Sequence, residues 1–194
     1  MPFFVARSRR DGRTRIRDSV ARCIMADLSS ELVNGLKSKL RGQVLQPGEA
    51  GYEEARQVWN AMIDRRPALI VKSAGTADVI DTIVFARDNG MLLSVRAGGH
   101  NIGGLALCDG GVTLDLSGMK SVRIDPTALR AYVEPGATLG DFDHEAQAFG
   151  LATPLGINST TGVAGLTLGG GFGWISRKYG TTVDKTVSTP CPMS

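Results

Sequence analysis

The nine residues R-A-G-G-H-N-I-G-G at 96–104 are the first place where residue types and spacing indicate chemistry. Four glycines surround His100, which is one of only two histidines in the 194 residues. Successive glycine N–H groups can form a concave nest for an anion such as a phosphate. A neutral imidazole beside that nest is a nucleophile near physiological pH. The alternative is a plain glycine turn whose histidine bonds to backbone, and the loop by itself leaves both interpretations open.

A second glycine-rich stretch, residues 154–180, reads PLGINSTTGVAGLTLGGGFGWISRKYG and holds eight glycines in 27 residues. It keeps apolar side chains throughout, which a flexible linker would lose, so it predicts a packed segment of tight turns. Ser159, Thr160 and Thr161 supply hydroxyls that can bind a phosphate, although ordinary turns use the same residues. Two such clusters in one small domain indicate a diphosphate held between them. Neither cluster reads GxGxxG and no GxxxxGK[ST] is present, which argues against ordinary Rossmann and Walker sites.

Hydrophobic spacing predicts the elements that position the first loop. SSELVNGLKSKLRG (29–42) and GYEEARQVWNAM (51–62) are typical of helices. ALIVK (68–72), the helical pattern at 76–90 and MLLSV (91–95) predict a βαβ unit with a parallel pair of strands. The loop at 96–104 would then leave the carboxyl end of a parallel strand, which is where ligands collect in open α/β sheets.

The predicted helices have recognisable ends and faces. The helix over 76–90 has Thr76 as its N-cap and carries four apolar residues on one face: Val79, Ile80, Ile83 and Val84. GVTLDLS (111–117), SVRID (121–125) and LRAYVEPG (129–136) predict short strands. The helix over 138–150 should begin with a Thr138/Asp141 capping pair and leave His144 on its solvated side. Its inward residues are expected to be Leu139, Phe142, Ala146 and Phe149.

Charge and cysteine usage exclude several classes. Residues 1–23 carry seven arginines and two aspartates, while the rest of the chain has 15 basic and 17 acidic residues, so the body is not predicted to bind nucleic acid. No apolar run is long enough to cross a bilayer. The three cysteines, Cys23, Cys108 and Cys191, are widely spaced without a CxxC pair, which argues against disulfides and a metal site. These features predict a cytoplasmic protein.

Three stretches, SVRAGGHNIGGLALCDGGVTLDLSGMK, VEPGATLGDF and PLGINSTTGVAGLTLGGGFGWISRKYGTTVD, together resemble FAD-linked oxidases of the berberine-bridge enzyme type. These belong to the vanillyl-alcohol oxidase and p-cresol methylhydroxylase flavoprotein superfamily. The resemblance implies an α+β fold, the FAD-binding domain of p-cresol methylhydroxylase type. It has a small βαβ-containing subdomain followed by a strand-rich subdomain, and it would be truncated in this chain. The expected organisation is a basic, disordered extension (1–24), a helical lead-in (25–65), an incomplete FAD-binding domain (66–184) and a divergent tail (185–194).

The resemblance assigns roles to both glycine-rich stretches. It implies that His100 bonds covalently to the 8α-methyl carbon of FAD and that the loop N–H groups wrap the pyrophosphate. Some relatives form a second bond through a cysteine in a G-x-C-x-T-x-G segment, whereas this chain reads G-I-N-S-T-T-G with Asn158 at that position. A single covalent bond is therefore expected. The implied cofactor-binding residues are Arg96, Gly98, Gly99, His100, Asn101, Ile102, Gly103, Gly104, Asn158, Ser159, Thr160, Thr161, Gly162 and Gly165.

In an intact relative, the flavin takes a hydride from a small-molecule alcohol or amine and passes the electrons to O₂. The part of the family that carries the catalytic side chains is missing here, so the resemblance assigns no catalytic residue and leaves open whether this chain is an enzyme. A second chain is one source for the missing half. The unassigned candidates for a base are Tyr132, Tyr179 and Glu134. Three functions stay open: an FAD-dependent oxidoreductase or its FAD-binding part, a non-catalytic remnant or binding module, and a nucleotide-binding protein without flavin.

Overall fold

The structure is a computed structural model and describes residues 28–186. The extension predicted at 1–24 and most of the tail predicted at 185–194 lie outside the described residues. Within 28–186, no helix has the length and apolar character needed to span a membrane. The architecture is a mixed α+β arrangement with a four-stranded sheet and a two-stranded sheet.

The four-stranded sheet carries the first glycine loop at its edge. Its strands are β1 (Gln43–Leu45), β2 (Leu69–Lys72), β3 (Leu93–Arg96) and β4 (Val112–Asp115), in the spatial order β1-β2-β4-β3. Strand β4 is parallel to both β2 and β3, and β1 is antiparallel to β2. The predicted βαβ unit and the parallel orientation of its two strands are confirmed, but β2 and β3 do not pair with each other, because β4 lies between them. The lead-in at 25–65 also contributes a strand of this sheet and is not purely helical.

Helices cover the sheet. The helices α1 (Ser30–Lys37) and α3 (Thr76–Asp88) lie with the apolar cluster of Val33, Leu36, Leu69, Val71 and Val112. The short α2 (Tyr52–Ala55) packs against Leu45 and Ile70, and the buried Tyr52 hydroxyl donates to the Pro67 carbonyl at 2.6 Å. The predicted second helix at 51–62 is thus confined to a single turn.

Two details of α3 differ from the sequence prediction. Its N-cap is Gly75, and Thr76 is the first helical residue. Its fully buried residues are Asp78, Thr82 and Ala86, whereas three of the predicted apolar residues are exposed, namely Ile80, Ile83 and Val84. The buried face follows Asp78 because its carboxylate accepts backbone N–H groups from Arg41, Gly42 and Ala74 at 2.8–3.0 Å. Satisfying those N–H donors outweighs burying three more aliphatic side chains.

The second part of the chain contains β5 (Val122–Asp125) and β6 (Arg130–Val133), which pair antiparallel, and α4 (Leu139–Gln147). The predicted capping pair of α4 is confirmed as a reciprocal capping box between Thr138 and Asp141. Three of the four predicted inward residues are buried, but Phe149 lies beyond the helix end and is half exposed. The chain continues into α5 (Val163–Leu168), α6 (Ser176–Tyr179) and a 3₁₀ turn at Val183–Lys185.

Candidate functional site

The two glycine-rich segments meet backbone to backbone. A Cβ atom on Gly98 would lie 2.4 Å from the Gly162 nitrogen, and one on Gly162 would lie 2.7 Å from the Gly98 nitrogen. Real Cβ atoms do not approach a backbone nitrogen so closely, so only glycine fits at both positions. The contact joins the loop after β3 to the loop before α5 and brings residues 64 positions apart into one site.

The start of α4 holds the second segment in place. The N–H groups of Leu139 and Gly140, in the first turn of the helix, donate to the carbonyls of Thr161 and Ser159, both at 2.9 Å. Gly162 also forms an isolated antiparallel bridge with the N-cap residue Thr138. The capping box therefore fixes the helix end and the loop that lies against it.

The first segment is held by the chain around Trp59 and Ile63. The Trp59 N–H donates to the Gly99 carbonyl at 3.1 Å, and Gly104 packs so closely on Ile63 that a Cβ would lie 2.7 Å from that side chain. Gly99 and Gly104 have φ angles of +69° and +72°, which favour glycine. Asn101 closes the loop, because its side-chain oxygen accepts the Leu105 N–H at 3.0 Å.

The backbone N–H groups of this loop lack hydrogen-bond partners among the described residues, and residues 100–103 of the loop line a cleft that is described below. None of the six consecutive N–H groups at residues 98–103 donates a hydrogen bond to another residue within 28–186. Backbone donors without a protein partner are normally satisfied by water or by a ligand. A run of such donors in a glycine loop is typical of a nest for an anion, and anion binding here stays a prediction.

His100 stands at the junction of the two segments. Its ring stacks on Trp59, with the centroids 5.4 Å apart and the planes inclined by 21°. Its Nε2 atom lies 3.1 Å from the Thr160 hydroxyl. The side chain is thus oriented on one face by an indole and at one edge by a hydroxyl, while the ring remains half-buried.

A cleft of about 630 Å³ opens between the segments, within the size range of small-molecule sites. Half of the predicted cofactor-binding residues line it: His100, Asn101, Ile102, Gly103, Asn158, Thr161 and Gly165. The other seven predicted residues do not line the cleft, namely Arg96, Gly98, Gly99, Gly104, Ser159, Thr160 and Gly162. Predicted residues from both glycine-rich segments therefore line one cleft.

Arg96 is placed differently from the rest. Its guanidinium donates to the Ala55 carbonyl and lies 3.8 Å from the Asp115 carboxylate, which is 1% exposed. It is a linker between β3, β4 and α2. Its contact with a cofactor stays a prediction.

Several residues of the cleft were not predicted from the sequence: Gly156, Ile157, Leu166, Gly169, Gly171 and Phe172. The Trp59 partner of His100 was also missed. The run G-G-G-F-G-W at 169–174 carries the signal for Phe172, because aromatic residues among glycines are an unusual composition for a turn. Trp59 lies 41 positions before His100, and nothing in the local pattern indicates their stacking.

The candidate bases lie away from the cleft. The Glu134 carboxylate accepts the Ser121 N–H at 2.8 Å, Tyr132 packs under Arg123, and Tyr179 packs beside Lys178. None of the three lines the cleft. His144 is exposed on α4, as predicted. In the part of the chain that the structure describes, no three His, Cys, Asp or Glu side chains are grouped to hold a metal ion.

Comparisons with known proteins show the family of the chain. The sequence profile described as "FAD binding domain" matches residues 67–190. The chain is 39% identical over 157 residues to (R)-6-hydroxynicotine oxidase from Paenarthrobacter nicotinovorans, covering 81% of this chain and 34% of that protein.

Two solved structures show the same architecture. The crystal structure of 6-hydroxy-D-nicotine oxidase from Arthrobacter nicotinovorans superposes with a TM-score of 0.75 at 37% identity, covering 81% of this chain and 34% of that chain. BBE-like 1 from Physcomitrella patens gives a TM-score of 0.74 at 30% identity and covers 79% of this chain and 34% of its own. The chain therefore spans about a third of the length of these relatives.

Proposed function

Because the chain belongs to the FAD-binding domain family of berberine-bridge-type FAD-linked oxidoreductases, we propose that it binds FAD in the cleft between its glycine-rich segments and tethers it through His100. We further propose that it forms the cofactor-holding part of an oxidase. The observation that carries the proposal is the imidazole of His100, which is stacked and hydrogen-bonded within a loop whose N–H groups at 98–103 have no hydrogen-bond partner among residues 28–186.

The residues present fit FAD. The N–H groups of residues 100–103, which line the cleft and have no hydrogen-bond partner within residues 28–186, suit the negatively charged diphosphate. Gly98 and Gly162 leave bare backbone at this contact, because a side chain on either residue would clash with the backbone of the other. The rest of the cleft is mainly apolar, with Ile157, Leu166 and Phe172 suited to a flat aromatic ring.

His100 would supply the nitrogen for a covalent tether to bound FAD. An N–C bond from one imidazole nitrogen to the 8α-methyl carbon would replace one methyl C–H bond and the imidazole N–H bond, and would release two protons and two electrons. Dioxygen would take up both and become hydrogen peroxide. His100 suits this role because its ring is already oriented by Trp59 and Thr160.

Bound FAD would supply a two-electron acceptor for a hydride from an alcohol or amine, with dioxygen as the final oxidant. The described part of the cleft contains no carboxylate, lysine or tyrosine side chain, and His100 is its one titratable group. We therefore propose that the base acting on the substrate comes from protein outside residues 28–186, either in the same polypeptide or in a second chain.

The test is flavin fluorescence in a denaturing gel, on the full chain expressed with ample FAD. His100→Ala should abolish the fluorescent band, and His144→Ala, which removes the other histidine from an exposed helix position, should leave it unchanged. A folded wild-type chain that gives a dark band would contradict the covalent tether. If that chain also released a nucleotide without flavin absorbance on heating, the nucleotide-binding alternative would replace the proposal.

A further inference from the structure

The side chains of Asn158, Thr160 and His100 form a series of hydrogen bonds at the cleft, in which each donor and acceptor can be assigned. The Asn158 side-chain oxygen accepts two hydrogen bonds from Thr160, one from its backbone N–H at 3.0 Å and one from its hydroxyl at 2.8 Å. The backbone N–H can only donate, which identifies the Asn158 atom facing Thr160 as its oxygen. The single hydroxyl proton of Thr160 is therefore directed at Asn158.

The donor and acceptor roles in this series determine which nitrogen of the His100 ring carries the proton. With its proton given to Asn158, the Thr160 oxygen can only accept from the His100 Nε2 atom, 3.1 Å away. Nε2 must then carry the ring proton in the neutral imidazole, and the lone pair lies on Nδ1. Within residues 28–186, no other hydrogen bond is made by this ring.

We infer that Thr160 and Asn158 are positioning residues that hold His100 as the Nε2–H tautomer and so select Nδ1 as the nitrogen that bonds to the flavin. This inference rests on the proposed function. As Nδ1 forms its bond, positive charge develops on the ring and the Nε2–H group becomes a stronger donor. The Thr160 oxygen stabilises that charge until the ring proton is released to water, which reaches the half-buried His100 side chain.

The tautomer can be measured without any flavin chemistry. The full chain, labelled with ¹⁵N-histidine and produced in a riboflavin-starved host, has only two histidines, and His144→Gln assigns the His100 signals. At about pH 8, above the ordinary pKa of imidazole, we expect a protonated Nε2 and an unprotonated Nδ1. Thr160→Val should give a mixture of tautomers. A wild-type ring protonated on Nδ1 would overturn the inference.

The second test is the rate of covalent attachment after FAD is added to the same flavin-free chain. Thr160→Val should slow attachment about tenfold, the loss expected for one hydrogen bond to a group that becomes charged. Thr160→Ser should restore most of the rate, and Asn158→Leu should slow attachment because it frees the hydroxyl proton. Thr127→Val, in the exposed turn between β5 and β6, is the matched control and should attach at the wild-type rate.

The two proposals fail in distinguishable ways. If the wild-type chain never gains covalent flavin, the tether is contradicted, while the NMR measurement still decides the tautomer. If the wild-type chain gains flavin and Thr160→Val gains it equally fast, the tether stands and the positioning role is overturned. Sequencing the flavin peptide and identifying the bonded nitrogen by NMR adds a third readout, in which attachment through Nε2 would contradict the inference.

Discussion

Residues 96–104 are held by the chain segments around them, whereas residues 154–180 are held along one edge and open along the other. In the first segment, the Gly99 and Ile102 carbonyls accept from Trp59 and Asn60, and Gly104 is buried. In the second, the contacts to α4 are concentrated at 159–162. Beyond them stand three exposed apolar side chains, Leu168, Phe172 and Trp174, with 87%, 76% and 86% of their surface accessible.

The first segment is therefore fixed by its own contacts, whereas the second segment exposes an apolar surface on which other protein or a ligand can pack. Neighbouring exposed apolar side chains mark places where other protein or a ligand packs. Phe172 lies on the cleft, but Leu168 and Trp174 do not. This chain covers about a third of the length of relatives that share its fold, and we propose that protein equivalent to the rest of those relatives covers the open edge of the second segment.

The largest effect is expected from breaking the contact between the two segments. Gly98→Ala places a methyl group 2.4 Å from the Gly162 nitrogen, and backbone on both sides leaves little room to adjust. We expect the free energy of unfolding to fall by about 3 kcal/mol and FAD binding to be lost. Urea unfolding and flavin retention measure the two effects.

The control for that change is Gly35→Ala in α1, where an added Cβ meets nothing within 4 Å. It should raise the free energy of unfolding by about 0.5–1 kcal/mol, because alanine favours the helix. Equal stability losses in the two variants would show that the segments do not depend on this close approach.

A smaller effect should follow from weakening the contacts of Asp78, on α3, with the segments that flank β1 and β2. Burial alone would raise the pKa of Asp78, but the N–H groups of Arg41, Ala74 and Gly42 hold that pKa below its ordinary value. A lowered pKa in the folded state gives stability that is present above the unfolded pKa of about 3.9 and is lost as the pH falls through the folded value.

Asp78→Asn should therefore cost about 2 kcal/mol at pH 7, because an amide NH₂ group would face one of the three N–H donors. The gap between the wild-type and variant unfolding free energies should narrow as the pH falls below about 4. Urea unfolding at both pH values tests this. A gap that stays constant with pH would show that the Asp78 carboxylate contributes no charge-dependent stability.

The smallest effect is expected at the open edge of the second segment. Leu168→Ser and Trp174→Ser should change the free energy of unfolding by no more than about 0.5 kcal/mol, as at other exposed positions. Both should reduce binding of an apolar dye and self-association on size exclusion. Leu139→Ala, in the buried α4 cluster, should instead cost about 3 kcal/mol. A comparable cost at Trp174 would mean that the edge is packed, contrary to the comparison above.

The sequence predicted where the strands and helices lie better than it predicted which strands pair and which helix faces are buried. Apolar runs located β2, β3 and β4, and the spacing of Thr138 and Asp141 predicted the α4 cap correctly, because these signals are local. The order of the sheet was missed since strand pairing depends on contacts far apart in sequence. The face of α3 was missed because Asp78 binds three backbone N–H groups from two other segments, which outweighs the aliphatic pattern.

The site was predictable where its residues are consecutive. The loop at 96–104 and the hydroxyls at 159–161 stood out by composition, and the structure brings them together. The stacking of Trp59 on His100 and the turn of Arg96 toward Asp115 and Ala55 depend on tertiary packing. No residue spacing in the sequence indicates these contacts.

The most direct test of the central claim is mass spectrometry of the tryptic fragment 97–120 from chain expressed with ample FAD. This fragment contains both His100 and Cys108, the two side chains in it that can form a bond to flavin. We expect the mass of this fragment to be increased by that of FAD, and we expect fragmentation to locate the flavin on His100. An unmodified fragment from folded, FAD-exposed protein, or a flavin on the buried Cys108, would contradict it.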